Sequence, residues 1–421
     1  MLSKLFNSPY IVSLFIIFII LLLGWEFIYI NHIDNHYYVE MSKGEFVMKP
    51  FSARILYPYA VRSFQNSSGC SLDQAFFFAN SFALILFIFS VTWLLSKITS
   101  SAWLALPILV TPYVIRSFVH VYLPDFFYAA LVGVFFMLIY RNYWGSSLLL
   151  LILIYFTREN ALFLCVALFL AGLFTSRPKW AGAAIIAMVA GITVTSLAGR
   201  GGPPHPYQMN HLLYLALKLP KNVLYNVFGT LIWTNVYADV GHPVITFSLP
   251  SWLSFGTLHT IGICPPQPLV CLNTLMLLLT TFGVAPTLLV FLLKRTPKQL
   301  LSGMPLWLMV AMIYGISSFI FSVAVSYDVM RLLGYAYPAF WLAVPALFVL
   351  NKYTDKLTLG KIMLFHVMAA WLPWLINIPW FVDKVDLASP LPFLLAISGS
   401  LIFHYCAIRA LRNNIPLSQP A

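Results

Sequence analysis

Twelve apolar runs fill most of this chain. They fall at about 11–29, 74–95, 102–115, 124–140, 146–157, 160–174, 180–197, 272–293, 304–324, 332–350, 361–378 and 390–408. A helix needs ~20 apolar residues to cross the hydrocarbon core of a bilayer. Together they take up just over half of the chain. Hydrophobic residues make up 61% of its 421 residues and charged residues 9%, against roughly 45–50% and 25% in soluble domains. That balance excludes a soluble globular enzyme, a disordered chain and a nucleic-acid binder. It predicts an all-α polytopic membrane protein of about twelve transmembrane helices, with roughly ten to thirteen as the range.

The run from Ile11 to Tyr29 is too long for a signal h-region and no small-residue cleavage site follows it, so it reads as a retained first span. Two runs, 146–157 and 160–174, are short, and Thr157-Arg158-Glu159-Asn160 separates them. Merging them would bury Arg158 and Glu159 at mid-bilayer, at roughly 2.5–3.5 kcal/mol per charge. It would also move the basic clusters at 294–298 and 352–361 to the outer side, against the positive-inside rule. The break therefore stays, with both termini inside. The inner loops then hold 13 of the 24 Lys and Arg residues, which accounts for much of the +12 net charge.

Under this topology eleven of the twelve carboxylates lie outside or at the outer end of a span, Asp355 being the exception. Seven of the nine histidines share that side; His366 and His404 do not. Acids contribute little to topology, so insertion does not explain the skew. Longer outer loops would collect polar residues by themselves. Asp125, Glu159 and Asp328 sit at span ends instead, which favours chemistry on the outer face. The chain divides into a membrane module over 1–200, containing a first outer loop at 31–72, an outer segment at 201–271, and a C-terminal membrane module at 272–421. The outer segment carries an amphipathic stretch at about 208–236, of a kind that lies in the interface.

The first outer loop begins Asn31-His32-Ile33-Asp34-Asn35-His36-Tyr37-Tyr38. Residues 52–65 read as an amphipathic surface helix, on which Arg54 and Arg62, eight apart, share one side. Two arginines at headgroup level suit a phosphate, and ordinary snorkelling explains them as well. His32 and His36 flank Asp34 without a third ligand at motif spacing, so no metal site is assigned. Asp125 follows Pro124 and reads either as a helix cap or as a site residue. Arg158 and Glu159 are adjacent and do not face each other as a helical pair. Arg331 has Asp328 three residues before it as a local partner.

These features resemble one family, the polytopic glycosyltransferases of the GT-C fold. The likeness rests on Asp34 just after span one, the 31–72 loop, seven spans before residue 200, Leu123-Pro124-Asp125 and Thr157-Arg158-Glu159. The second half is similar only in general plan. The resemblance implies inverting transfer of a sugar from a polyprenyl-phosphate donor to a glycan, lipid or protein acceptor, on the periplasmic or lumenal face. One carboxylate deprotonates the acceptor hydroxyl, and cations steady the departing phosphate. Asp34 is the expected base, with Asp125 as second catalytic candidate. Arg158, Arg331, Arg54 and Arg62 are the expected phosphate ligands. His36, Tyr37, Tyr38 and Glu159 are expected substrate contacts. No DxD or DE pair follows span one, so no cofactor is assigned and a divalent cation is not favoured. The partners are then the lipid-linked donor, the acceptor and the bilayer, with no nucleic acid.

Two other readings fit parts of the pattern. An O-antigen-type polymerase or ligase would draw on His205, His211, His242 and His259 in the second outer segment. A secondary transporter or lipid-linked glycan flippase fits twelve spans, but transporters carry internal repeats and midplane polar sites, and no repeat is seen. Lean loops and the lack of a terminal retention signal favour a bacterial inner membrane over the endoplasmic reticulum. Cys264 and Cys271 flank a Pro-rich loop and could pair if it faces an oxidising compartment.

Overall fold

A helix falls on each apolar run. The computed structural model describes residues 7–24, 34–47, 51–198, 211–230, 232–234, 245–248, 260–263, 268–296, 303–325, 332–352, 355–375 and 390–413. The first half runs α1 (Pro9–Gly24), α2 (Asn35–Lys43), α3 (Leu56–Ser68), α4 (Leu72–Thr99), α5 (Ala105–Leu109), α6 (Pro112–Val119), α7 (Asp125–Tyr140), α8 (Trp144–Tyr155), α9 (Ala161–Phe174) and α10 (Pro178–Ala198). The second half runs α11 (His211–Phe228), α12 (Pro268–Phe282), α13 (Ala285–Arg295), α14 (Leu306–Val325), α15 (Tyr337–Leu350), α16 (Lys356–Trp374) and α17 (Leu391–Arg412).

Local chemistry sets the ends of these helices. Proline is the first residue of α1, α6, α10 and α12, where its missing N–H would have had no helical partner anyway. Ser71 and Gln74 close α4 with a reciprocal capping box: the Gln74 amide N–H donates to Ser71 Oγ at 3.3 Å and the Ser71 N–H to Gln74 Oε1 at 3.0 Å. The Thr157–Asn160 break separates α8 from α9, as the charge argument requires.

Among the described residues, four helices are long and apolar enough to cross a membrane: α4, α14, α16 and α17. Two bent pairs raise the number to six. In the first, the segment ending at Leu109 meets α6 at 70°, with Pro112 opening the second arm. In the second, α12 and α13 meet at 69° across Gly283, whose φ is +48°. A side chain on Gly283 would collide with the His366 ring, so the bend needs glycine both for its backbone and for its neighbour. The chain is thus a helical membrane protein.

α15 is buried almost all round its circumference, because its apolar residues encircle it. It packs against α4, α13 and α14 and joins the two halves. A second, smaller apolar cluster of Tyr38, Tyr57, Val61, Phe76 and Leu123 joins α2 and α3 to α4 and to the start of α7. The Tyr57 hydroxyl donates to the Val121 carbonyl, and the Leu56 N–H donates to the Phe156 carbonyl at 3.1 Å. These bonds tie the first outer loop to the start of α7 and to the α8–α9 break.

Two expectations about the outer segments change. The helix expected over 208–236 ends at Phe228, where Gly229 adopts φ +66°. The chain then forms β1 (Ile232–Thr234), which joins β2 (Ile245–Ser248) and β3 (Thr260–Ile263) in a sheet of order β1-β3-β2. All pairs are antiparallel, with Ile263 opposite both Ile232 and Ile245. β-branched residues in β1 and β2 favour this extended form. The helix expected over 52–65 begins only at Leu56. Pro58, which lacks an N–H, sits in the first turn, where none is needed, and Arg54 lies ahead of the helix, just after a single 3-10 turn at Phe51–Ala53.

Candidate functional site

The start of α7, the α8–α9 break and the segment ahead of α3 bring four charges together. Arg158, in the α8–α9 break, is 2% exposed and forms an ion pair with Asp125, the first residue of α7. The Tyr335 hydroxyl donates to the same Asp125 oxygen, Oδ1. Arg158 also lies over the Tyr335 ring, 5.4 Å from its centroid. Pro124 occupies the cap position of α7, which leaves Asp125 one residue inside the helix. Its carboxylate balances a cation that burial would otherwise make very costly.

Glu159, the next residue, points to a different partner. Arg54 Nε donates to its Oε2 at 2.9 Å and Arg54 Nη2 to its Oε1 at 2.5 Å. This bidentate fork is the strongest form of the contact. Arg54 is itself held from two more sides. Its Nη1 donates to the buried Tyr38 hydroxyl at 2.9 Å, and its guanidinium sits 5.1 Å from the Phe51 ring centre. Phe51 stacks on Tyr37 at 4.1 Å, and Tyr37 contacts the exposed His36 ring. Glu159 keeps 51% of its side chain exposed while Arg54 keeps 6%.

Partial burial works to raise the Glu159 pKa, but the Arg54 guanidinium, helped by Arg158, outweighs it and brings the carboxyl down from its ordinary 4.5 to about 2. A lowered carboxylate pKa adds stability that is complete above about 4.5 and is lost as the pH falls towards 2. Acidification through that window is therefore expected to speed amide hydrogen exchange around Arg54 beyond the intrinsic effect of pH, and Glu159→Gln to give faster exchange there at neutral pH. Exchange that ignores both would show that the fork does not hold the loop.

Asp34 occupies the cap position of α2 without a side-chain capping bond, and it is half-buried. It stands four residues before Tyr38, so the two share a face of that helix. Arg62 is half-buried on α3, with its guanidinium over Gly44, the left-handed residue that ends α2. Arg54 and Arg62 therefore do not share a helix face. Arg331, Asp328, His32 and Cys264 lie outside the described residues, as do His205, His242 and His259. Among the described residues no group of three His, Cys, Asp or Glu side chains gathers to hold a metal ion.

The structure thus brings Tyr38, Arg54, Asp125, Arg158 and Glu159 into one connected cluster. Sequence reasoning missed Tyr335. It sits in Gly334-Tyr335-Ala336-Tyr337 at the head of an apolar run, where aromatic residues read as an interfacial belt. The aromatic seam continues inward, with Tyr128 and Tyr314 hydroxyls 3.0 Å apart and Thr111 and Tyr337 hydroxyls 3.2 Å apart. No protein-family model, curated protein or solved structure matches the chain.

Proposed function

We propose that the chain is an inverting membrane glycosyltransferase of GT-C type, which moves a sugar from a polyprenyl-phosphate donor to a glycan, lipid or protein acceptor on the outer face. The observation that supports it most is the cluster of Asp125, Arg158, Glu159 and Arg54. Four ionisable side chains are fixed where the first outer loop meets the ends of three apolar helices. Charges at such a depth are functional by default, because solvation alone would not place them there. Counting the six shorter apolar helices with the six longer crossings gives twelve spans, with the cluster periplasmic and both termini cytoplasmic.

In this reading Asp34 takes the proton from the acceptor hydroxyl as the glycosidic bond to phosphate breaks. Arg62 faces the phosphate, since it has no carboxylate partner among the described residues. Arg331 is the second phosphate ligand that the resemblance implies. Arg54 and Arg158 already have carboxylates, so their charges are spent within the protein.

A transport reading has one observation in its favour. The two bent spans meet, with α6 against α12, and α16 packs on both. Broken helices of this kind build binding sites in transporters. A single assay separates the two. Membranes containing the wild-type chain are supplied with radiolabelled polyprenyl-phosphate sugars and their own acceptors. Label moving from the lipid to a new product supports transfer. Label crossing the bilayer with its sugar–phosphate bond intact would support transport and sink the transferase.

A further inference from the structure

Three side chains around Arg54 hold polar atoms that are buried and, among the described residues, without a hydrogen-bond partner. These are both amide atoms of Asn35, the hydroxyl of Ser52 and Nε of Arg158. Each residue is more than nine-tenths buried. Asn35 lies one turn before Tyr38 on the buried face of α2, Ser52 lies two residues before Arg54, and Arg158 adjoins Glu159. An unmet buried polar group costs about 1–3 kcal/mol. Fifteen described residues hold such atoms, from Ser13 to His404, and these three are the ones that lie within three residues of Tyr38, Arg54 or Glu159 in the chain.

The charge balance says what kind of ligand would meet them. Arg54 and Arg158 contribute two positive charges, and Asp125 and Glu159 two negative ones, each cation held by its own carboxylate. The cluster is electrically neutral and offers little to a phosphate. It still has hydrogen-bonding capacity of both kinds. Asn35 can donate and accept, Ser52 can do either, Arg158 Nε can donate, and the exposed Glu159 carboxylate has lone pairs left after the Arg54 fork. A hydroxyl group, which donates and accepts at once, matches such a mixed and neutral lining.

We propose that Asn35, Ser52 and the Glu159–Arg54 fork form a binding subsite for the hydroxyls of a neutral sugar, separate from whatever holds the lipid phosphate. Asn35 takes two roles from one side chain, donating through Nδ2 and accepting through Oδ1. Glu159 accepts, and the Arg54 fork with Tyr38 and Phe51 keeps its carboxylate in one orientation. Entry of the sugar needs a small separation of α2 from its neighbours, since these atoms are packed in the ligand-free chain. The ligand is named as a sugar on the strength of the transferase reading; the neutrality and the unmet groups stand without it.

The test uses the full chain in lipid nanodiscs free of glycoside detergent. A panel of methyl glycopyranosides is screened by saturation-transfer NMR, and polyprenyl phosphate binding is measured in parallel. At least one glycoside is expected to bind. Asn35→Leu and Glu159→Gln should each weaken it by about tenfold or more, while in Asn35→Leu polyprenyl phosphate binding changes by no more than about twofold. Asn35→Leu should leave the unfolding midpoint unchanged or raised, because a near-isosteric apolar group replaces two unmet polar atoms. A residue that only stabilises the fold would lower it.

The proposal fails if no glycoside binds, if binding ignores both substitutions, or if polyprenyl phosphate binding is lost instead. Glycoside binding that needs Asn35 in a chain without transferase activity would keep the subsite and remove the enzyme. Transfer with glycoside binding indifferent to Asn35 would do the reverse.

Discussion

Arg158→Met is expected to destabilise the folded chain by about 3–5 kcal/mol, because it leaves the Asp125 carboxylate buried without its cation. Asp125→Leu should cost a similar amount for the converse reason. Together they should cost far less than the two single changes combined, since two apolar side chains of suitable size can replace a buried pair at little net loss. Tyr335→Phe isolates the third member. It keeps the ring under the Arg158 guanidinium and removes only the hydroxyl that Asp125 accepts. Reversible unfolding in bicelles measures all four variants. Single changes that each cost under about 1 kcal/mol would show that water or lipid headgroups reach the pair, as they do at exposed salt bridges.

The second large effect concerns rate. Asp34→Asn is expected to lower sugar transfer by about 10²–10⁴-fold, the usual contribution of a positioned base. The Asp34 side chain does not cap α2, so the change removes no capping bond. Asp125→Asn makes the instructive contrast. Its carboxylate already accepts from Arg158 and Tyr335, so that change should lower stability along with rate. Transfer within about tenfold of wild type in Asp34→Asn would place the base elsewhere.

The helices were legible because a span of apolar residues states its own length, and charges mark its ends. The α8–α9 break was legible for the same reason, since Arg158 and Glu159 could not lie at mid-bilayer. Partners were not. Asp125 and Arg158 are 33 residues apart, Arg54 and Glu159 are 105 apart, and Tyr335 is 210 from Asp125. No periodicity connects such positions. Arg54 shows a subtler loss. Its spacing from Arg62 suits one helix face, but the helix starts beyond it, at Leu56. The short strands of the second outer segment escaped because three or four residues carry too little pattern to outweigh a neighbouring amphipathic helix.

The lengths of α8 and α9 carry one more consequence. With twelve and fourteen residues they extend ~18 Å and ~21 Å, against ~30 Å of hydrocarbon in an ordinary bilayer. If each is a crossing, as the twelve-span reading has it, lipids beside them must thin or tilt to meet their ends, a hydrophobic mismatch costing fractions of a kcal/mol per Å. The break carrying Arg158 and Glu159 would then sit in a dimple, below the surrounding headgroups. A substrate with a long hydrocarbon anchor could bring its polar head to that depth without leaving its leaflet, and thicker membranes would bring it there less readily.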